Sequence, residues 1–277
     1  MKNVRNKAVW FLLSSSLVVA SCDKDDTGEL AGNVPQPSFT ASTPRSIGLT
    51  TEVIFTSTGP EAFLYQWDFG DGTVATGKTV THIYKKSGTV KAQLIASYRE
   101  GTGLSEVKDV VLPQNVAFVK QLLTGTTGTK IWMLDNTADA PIIVGTEKNP
   151  AEYYAGGKAG TLPACQADDE FTFTSADVFT YNAKAETYVA ATPATATSPA
   201  VPAACGAPRS GNSDFTFGPA VGDGFAMLEF KKAGTFIGVT DAPDLTYRII
   251  DITADRMILR AGKPNGTVFQ MKLVAKP

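Results

Sequence analysis

Histidine is almost absent. The 277-residue chain holds one, His82. A Ser-His-Asp triad needs its own histidine, so nucleophilic hydrolysis of that kind has no general base outside the neighbourhood of His82. Cysteine is nearly as scarce, with three in all. The one histidine and the three cysteines stand far apart in the sequence and form no His/Cys metal-ligand cluster. No glycine-rich loop opens a helix as phosphate-cradling or dinucleotide-binding motifs require. Charge is also thin, at 19% of residues with a formal net of −2. A chain without a basic surplus lacks the electrostatic footprint of a nucleic-acid binder. Long apolar runs are missing too. The one candidate, Ala8 to Ala20, is too short to span a bilayer as a permanent helix.

What is present begins with a targeting pattern. Lys2, Arg5 and Lys7 form a positive stretch ahead of that apolar run. The run ends in Val19-Ala20-Ser21-Cys22, which resembles the lipobox of bacterial lipoproteins. The resemblance implies that residues 1–21 are a signal peptide and that Cys22 becomes a lipid-bearing N-terminus. Loss of three basic residues takes the mature chain to about −5. Asp23-Lys-Asp-Asp26 then resembles the acidic export signal of Bacteroidetes surface lipoproteins, although it also reads as a plain solvated tether. With Cys22 so assigned, Cys165 and Cys205 remain. An exported chain crosses an oxidising compartment, so these two are expected to pair.

The most legible stretch is Tyr65-Gln-Trp-Asp-Phe-Gly-Asp-Gly72. Tyr65, Trp67 and Phe69 alternate onto one face of a half-buried strand, and the glycines supply a tight turn. Asp68 and Asp71 are placed to accept backbone N–H groups at that turn and could also help to hold calcium. With His82-x-Tyr84 and Ser87-Gly-Thr-Val90, the motif resembles that of PKD domains, which are immunoglobulin-like β-sandwiches. The implied division is a tether over 22–35, a PKD-like sandwich over 36–113 and a second domain over 114–277. No cofactor beyond calcium is expected.

Asn115 to Leu123 has helical spacing and opens the second domain. From Thr129 the pattern is β throughout, with strands expected to include Glu170–Thr174, Val178–Tyr181, Thr187–Val189, Thr235–Val239 and Val268–Val274. About ten antiparallel strands in sequential order imply an up-and-down, lipocalin-like barrel or curved sandwich, with a mouth where a ligand could sit. The fold class is therefore all-β. Two insertions, 135–166 and 190–212, break the rhythm, and a Cys165–Cys205 bridge would tie them together over one end.

Lys130-x-Trp132-x-Leu-Asp135, Asp169-Glu-Phe-Thr-Phe173 and Met257-Ile-Leu-Arg260 resemble the C-terminal module that follows PKD domains in Bacteroidetes surface lipoproteins of polysaccharide utilisation. That resemblance implies a surface glycan-binding protein on the outer membrane, serving an uptake complex. Where the family carries a tryptophan pair, Tyr153-Tyr154 stands here, with Glu152 and Lys158 nearby. Flat rings with polar groups at their edges suit a sugar platform, and loop anchoring is the alternative for the pair. Trp132 is a second platform candidate or a core residue. Asp168-Asp169-Glu170 could hold calcium, contact sugar hydroxyls or simply open a strand. The expected function is capture of polysaccharide or oligosaccharide without turnover. The rivals are a protein-interaction or adhesion subunit and, with less support, a glycoside hydrolase.

Overall fold

The structure is a computed structural model and describes residues 32–242 and 244–277. The signal peptide, Cys22 and the start of the tether lie outside the described residues.

The N-terminal part is a sandwich of two antiparallel sheets. One holds β1 (Phe39–Ala41), β2 (Arg45–Ile47), β3 (Thr50–Ser57) and β6 (Thr79–Tyr84), with β3 central. The other holds β4 (Leu64–Asp68), β5 (Val74–Thr76), β7 (Gly88–Tyr98), β8 (Gly101–Leu104) and β9 (Lys108–Leu112), arranged around β7. Tyr65, Trp67 and Phe69 point into the core with Phe39, Phe55 and Tyr84. Trp67 is satisfied by donating its indole N–H to Gly77 O at 2.8 Å. The turn after β4 requires glycine. Gly70 has φ +74°, and a Cβ there would lie 2.2 Å from Lys91 O.

Helix α1 (Val116–Thr124) follows, capped by Asn115, whose Oδ1 accepts Phe118 N–H at 3.3 Å. The barrel comprises β10 (Thr129–Leu134), β11 (Ile142–Gly145), β12 (Glu170–Thr174), β13 (Val178–Asn182), β16 (Gly211–Gly218), β17 (Ala226–Phe230), β18 (Thr246–Ile252), β19 (Arg256–Ala261) and β20 (Val268–Ala275). β10 pairs antiparallel with β12, each strand from β12 to β20 with the next of the series, and β20 closes on both β11 and β10. Helix α2 (Ala164–Ala167) and the separate hairpin β14 (Thr187–Val189) and β15 (Ala204–Gly206) sit at one end.

The closure explains β11, which the sequence pattern hides inside an insertion. The long β20 pairs first with β11 over Val268–Met271 and then with β10 over Leu273–Ala275. The two short strands are one barrel wall, interrupted where the chain leaves after Asp135 and returns at Pro141. The result is an eight-membered antiparallel barrel.

The expected ligand mouth is not there. Eight strands enclose a bore that side chains can fill, and here they do. Trp132, Phe171, Phe173, Phe179, Tyr181, Phe215, Phe230 and Tyr247 all lie in one core. Both ends are stopped. At one, Val119 and Leu123 of α1 enter, and Trp132 Nε1 donates to Leu123 O at 2.9 Å. At the other, Phe236, Ile237 and Val239 fold in, and Gln166 Nε2 donates to Gly238 O at 2.6 Å. Residues 235–239 are thus a capping segment and not the strand that their alternation suggests.

Candidate functional site

With the bore filled, recognition falls to the outside. The loop after β11 is the most constructed feature there. Thr146 N–H donates to Asn149 O at 3.0 Å, Asn149 N–H to Thr146 Oγ1 at 3.2 Å and Glu152 N–H to Asn149 O at 3.1 Å. Tyr153 and Tyr154 return beside Val144, each donating its N–H to Val144 O at 2.9 Å. The loop is tight enough that a Cβ on Gly145 would lie 2.2 Å from Asn149 O.

An ion cluster fastens this loop to the barrel wall. Arg248 and Arg260 are directly paired across β18 and β19, and Arg260 with Gln270 across β19 and β20. Two guanidiniums side by side repel unless an anion joins them. Glu147 does so, taking Arg248 in a fork at 2.6 Å on both oxygens and Arg260 Nη1 at 3.0 Å. The Arg248 residue is 0% exposed. Burial pushes the Glu147 carboxyl up, but the two guanidiniums outweigh it and hold the carboxyl below the usual glutamate range.

The Tyr loop borders a cleft of about 350 Å³. Exposed Tyr154 lines it together with Ile142, Val144, Leu162, Tyr188 and Phe269. The hairpin carrying Tyr188 is fixed covalently. Cys165 of α2 and Cys205 of β15 form a disulfide, and Tyr188 lies opposite Cys205 in the β14–β15 ladder. The expected pairing is present, and it joins the two insertions.

The predicted residues divide. Tyr153 is 61% and Tyr154 51% exposed, but only Tyr154 borders the cleft. Glu152 is turned into its own loop, where Oε2 accepts the Thr146 hydroxyl at 2.8 Å. Lys158 is exposed, 3.7 Å from Asp139. Trp132 is excluded as a platform, because it is 0% exposed in the barrel core with its N–H already spent. Asp68 accepts Gly70 N–H at 2.9 Å, while Asp71 accepts Thr73 N–H at 3.0 Å and approaches His82 Nε2 at 2.8 Å. These carboxylates hold the turn together. Among the described residues no group of three or more His, Cys, Asp or Glu converges.

The acidic run is split as well. Glu170 pairs with Lys184 at 2.7 Å and Lys276 at 2.6 Å, which lowers its ionisation range. Asp169 faces inward at 2% exposure and accepts the Tyr181 hydroxyl at 2.9 Å. Burial pushes its carboxyl up to about 7, against the pull of that hydrogen bond. Tyr188 and Phe269 were missed in the sequence. Tyr188 reads there as one position of an ordinary strand, and only its pairing with the segment carrying Cys205 would have singled it out.

No curated protein matches the chain. A solved structure of carbohydrate-binding modules from the β-sandwich superfamily is similar at 15% identity and TM-score 0.27, over 88% of this chain and 92% of that one. The PKD1 domain of the Vibrio cholerae metalloprotease PrtV is similar at 22% identity and TM-score 0.24, covering 29% of this chain and 98% of that domain. The PKD1 domain of Vibrio anguillarum Epp gives 22% identity and TM-score 0.22, covering 28% of this chain and 96% of that domain. Residues 34–112 match the family model described as PKD domain, and the N-terminal sandwich is a PKD domain.

Proposed function

We propose that the chain captures an extracellular polysaccharide or oligosaccharide, without turnover, in the cleft beside Tyr154. One observation carries this reading: an exposed tyrosine, on a loop clamped by a buried ion cluster, lines the same cleft as Tyr188 and Phe269. Sugar C–H faces pack on such rings, and loop carbonyls and hydroxyls are at hand for the sugar's own hydroxyls. Rigidity in the unbound loop lowers the ordering cost of binding. Acyl chains on Cys22 would hold the protein on the outer membrane, surface-exposed and next to an uptake complex, with the PKD domain as spacer. Many copies on one surface would raise a modest single-site affinity through avidity.

The test is affinity electrophoresis of the full chain, purified in detergent, through gels containing neutral polysaccharides. Retardation by one glycan class is expected, and Tyr154→Ala with Tyr188→Ala should weaken it at least tenfold, about 1.4 kcal/mol. Retardation that survives both changes would move the site elsewhere. No retardation across a broad panel would favour the adhesion reading, for which the PKD domain offers separate exposed apolar side chains such as Phe63, Val74 and Val111. The anchor is checked separately, since Cys22→Ser should shift the protein out of the membrane fraction.

A further inference from the structure

A second recess opens at the same end of the barrel. It has a volume of about 190 Å³, and Phe179, Tyr181 and Phe236, all buried in the barrel core, lie behind it. Arg209, Asn212 and Lys232 are among the residues that line it. No acidic residue lines it. Asp214 and Lys231 belong to the adjoining groove. Several other basic residues of the barrel are paired, Lys120 with Asp177 and both Lys184 and Lys276 with Glu170. Arg209 and Lys232 have no acidic partner among the described residues.

Both cations stand on pinned backbone. Arg209 N–H donates to Thr187 Oγ1 at 2.9 Å, and that buried hydroxyl lies 3.1 Å from Tyr181 Oη. Ala183 N–H donates to Ser210 Oγ at 2.9 Å, and the disulfide at Cys205 fixes the chain just before. Lys232 N–H donates to the buried Ser213 Oγ at 3.1 Å. A turn from Lys232 to Thr235, closed at 3.3 Å with Gly234 at φ +79°, shapes that part of the lining.

Two cations without acidic partners lining one small recess are suited to an oxyanion carried on a sugar. The guanidinium offers a planar fork to the anion, the ammonium a point charge, and Ser210 and Asn212 of the same lining offer polar groups to the sugar's hydroxyls. We infer that this recess is a second binding site, for the carboxylate or sulfate of an acidic sugar. It stands on residues distinct from the tyrosine cleft. The two recesses are close in the chain, since Thr187 braces one and Tyr188 lines the other.

The experiment is calorimetric titration of the full chain in detergent with trigalacturonic acid, its methyl ester and a sulfated galactan oligosaccharide. At least one acidic probe should bind tenfold or more tighter than the ester, and raised salt should weaken it. Arg209→Ala and Lys232→Ala should each reduce that binding about tenfold, and Arg209→Lys should recover part of the loss. Comparing carboxylate with sulfate identifies the anion. Equal affinity for acid and ester, no acid binding, or affinity unmoved by both substitutions would overturn the assignment. Unchanged thermal midpoints in the variants show that they fold. Neutral-glycan retention in the same variants reports on the tyrosine cleft alone, so either site can fail without the other.

Discussion

A carboxylic acid sealed from water with one hydroxyl for company ionises late. Asp169 is such a group, raised from 3.8 to about 7 chiefly by burial. Below the unfolded value both states hold the proton, and its stabilising effect is complete. As pH rises towards 7 the unfolded chain releases the proton while the folded one keeps it, so stability falls by a few kcal/mol. Glu147, Glu170 and Asp71 act in the opposite sense, because their lowered values cost stability as pH drops. The thermal midpoint should therefore peak in mildly acid solution. Asp169→Asn should flatten the decline between pH 5 and pH 8, and an unaltered slope by scanning calorimetry would show that Asp169 is not its source. Glu147→Ala makes a second residue-scale test. It strands a fully buried Arg248, at a cost of about 3–5 kcal/mol, readable from the urea midpoint. Side-chain roles were legible where they follow local alternation. Trp67 and Phe171 show their burial in their neighbours, whereas Arg248 looks like any polar position on an outer strand face. Nothing local to Arg248 announces that Glu147, about a hundred residues away, covers it.

At the scale of elements, the sequential antiparallel order was readable because alternation survives in β12, β13 and β18 to β20, although the expected count of about ten included Thr187–Val189, which pairs outside the barrel. Two elements were not readable. Ile142-Ile-Val-Gly145 is a strand only because β20 is long enough to need a second partner, a non-local demand. Thr235–Val239 alternates like a strand, but its apolar side chains stopper the barrel end. The cleft depended most on what sequence leaves open, namely that the strand carrying Tyr188 would pair with the segment carrying Cys205. The disulfide closes a 40-residue separation, worth about 4 kcal/mol in the chain-entropy model. Cys165→Ser with Cys205→Ser should lower stability by that order in denaturant. It should also weaken neutral-glycan retention, because Tyr188 loses the brace on its hairpin. Retention equal to that of the unaltered protein would show that the hairpin stays docked without the bridge.

The whole molecule is more than two beads on a string. Gln114 bonds Ala220 twice, receiving its N–H at 2.8 Å and donating to its carbonyl at 3.3 Å. Ser87 of the PKD domain donates to Gly224 O at 2.8 Å, and Asn115 donates to Gly48 O at 3.4 Å. Leu49 packs against the barrel core, and Phe118 of α1 lies over Gly48. Helix α1 is therefore shared, with one face closing the barrel and the other meeting the PKD domain. The loop that Gln114 and Ser87 hold also contains Asp223, whose carbonyl accepts Arg248 Nη1 at 3.1 Å. The contact between domains thus runs on into the cluster that clamps the tyrosine loop. A spacer joined in this way should stabilise the barrel, and the chain should melt in one calorimetric transition. Leu49→Ala with Gln114→Ala removes an apolar contact and two hydrogen bonds, a loss of about 2–4 kcal/mol of coupling. That loss should split the melt into two transitions, the PKD domain and the barrel each unfolding alone. Two transitions already present in the unaltered chain would mean that the seam carries no coupling and that the PKD domain is only a spacer.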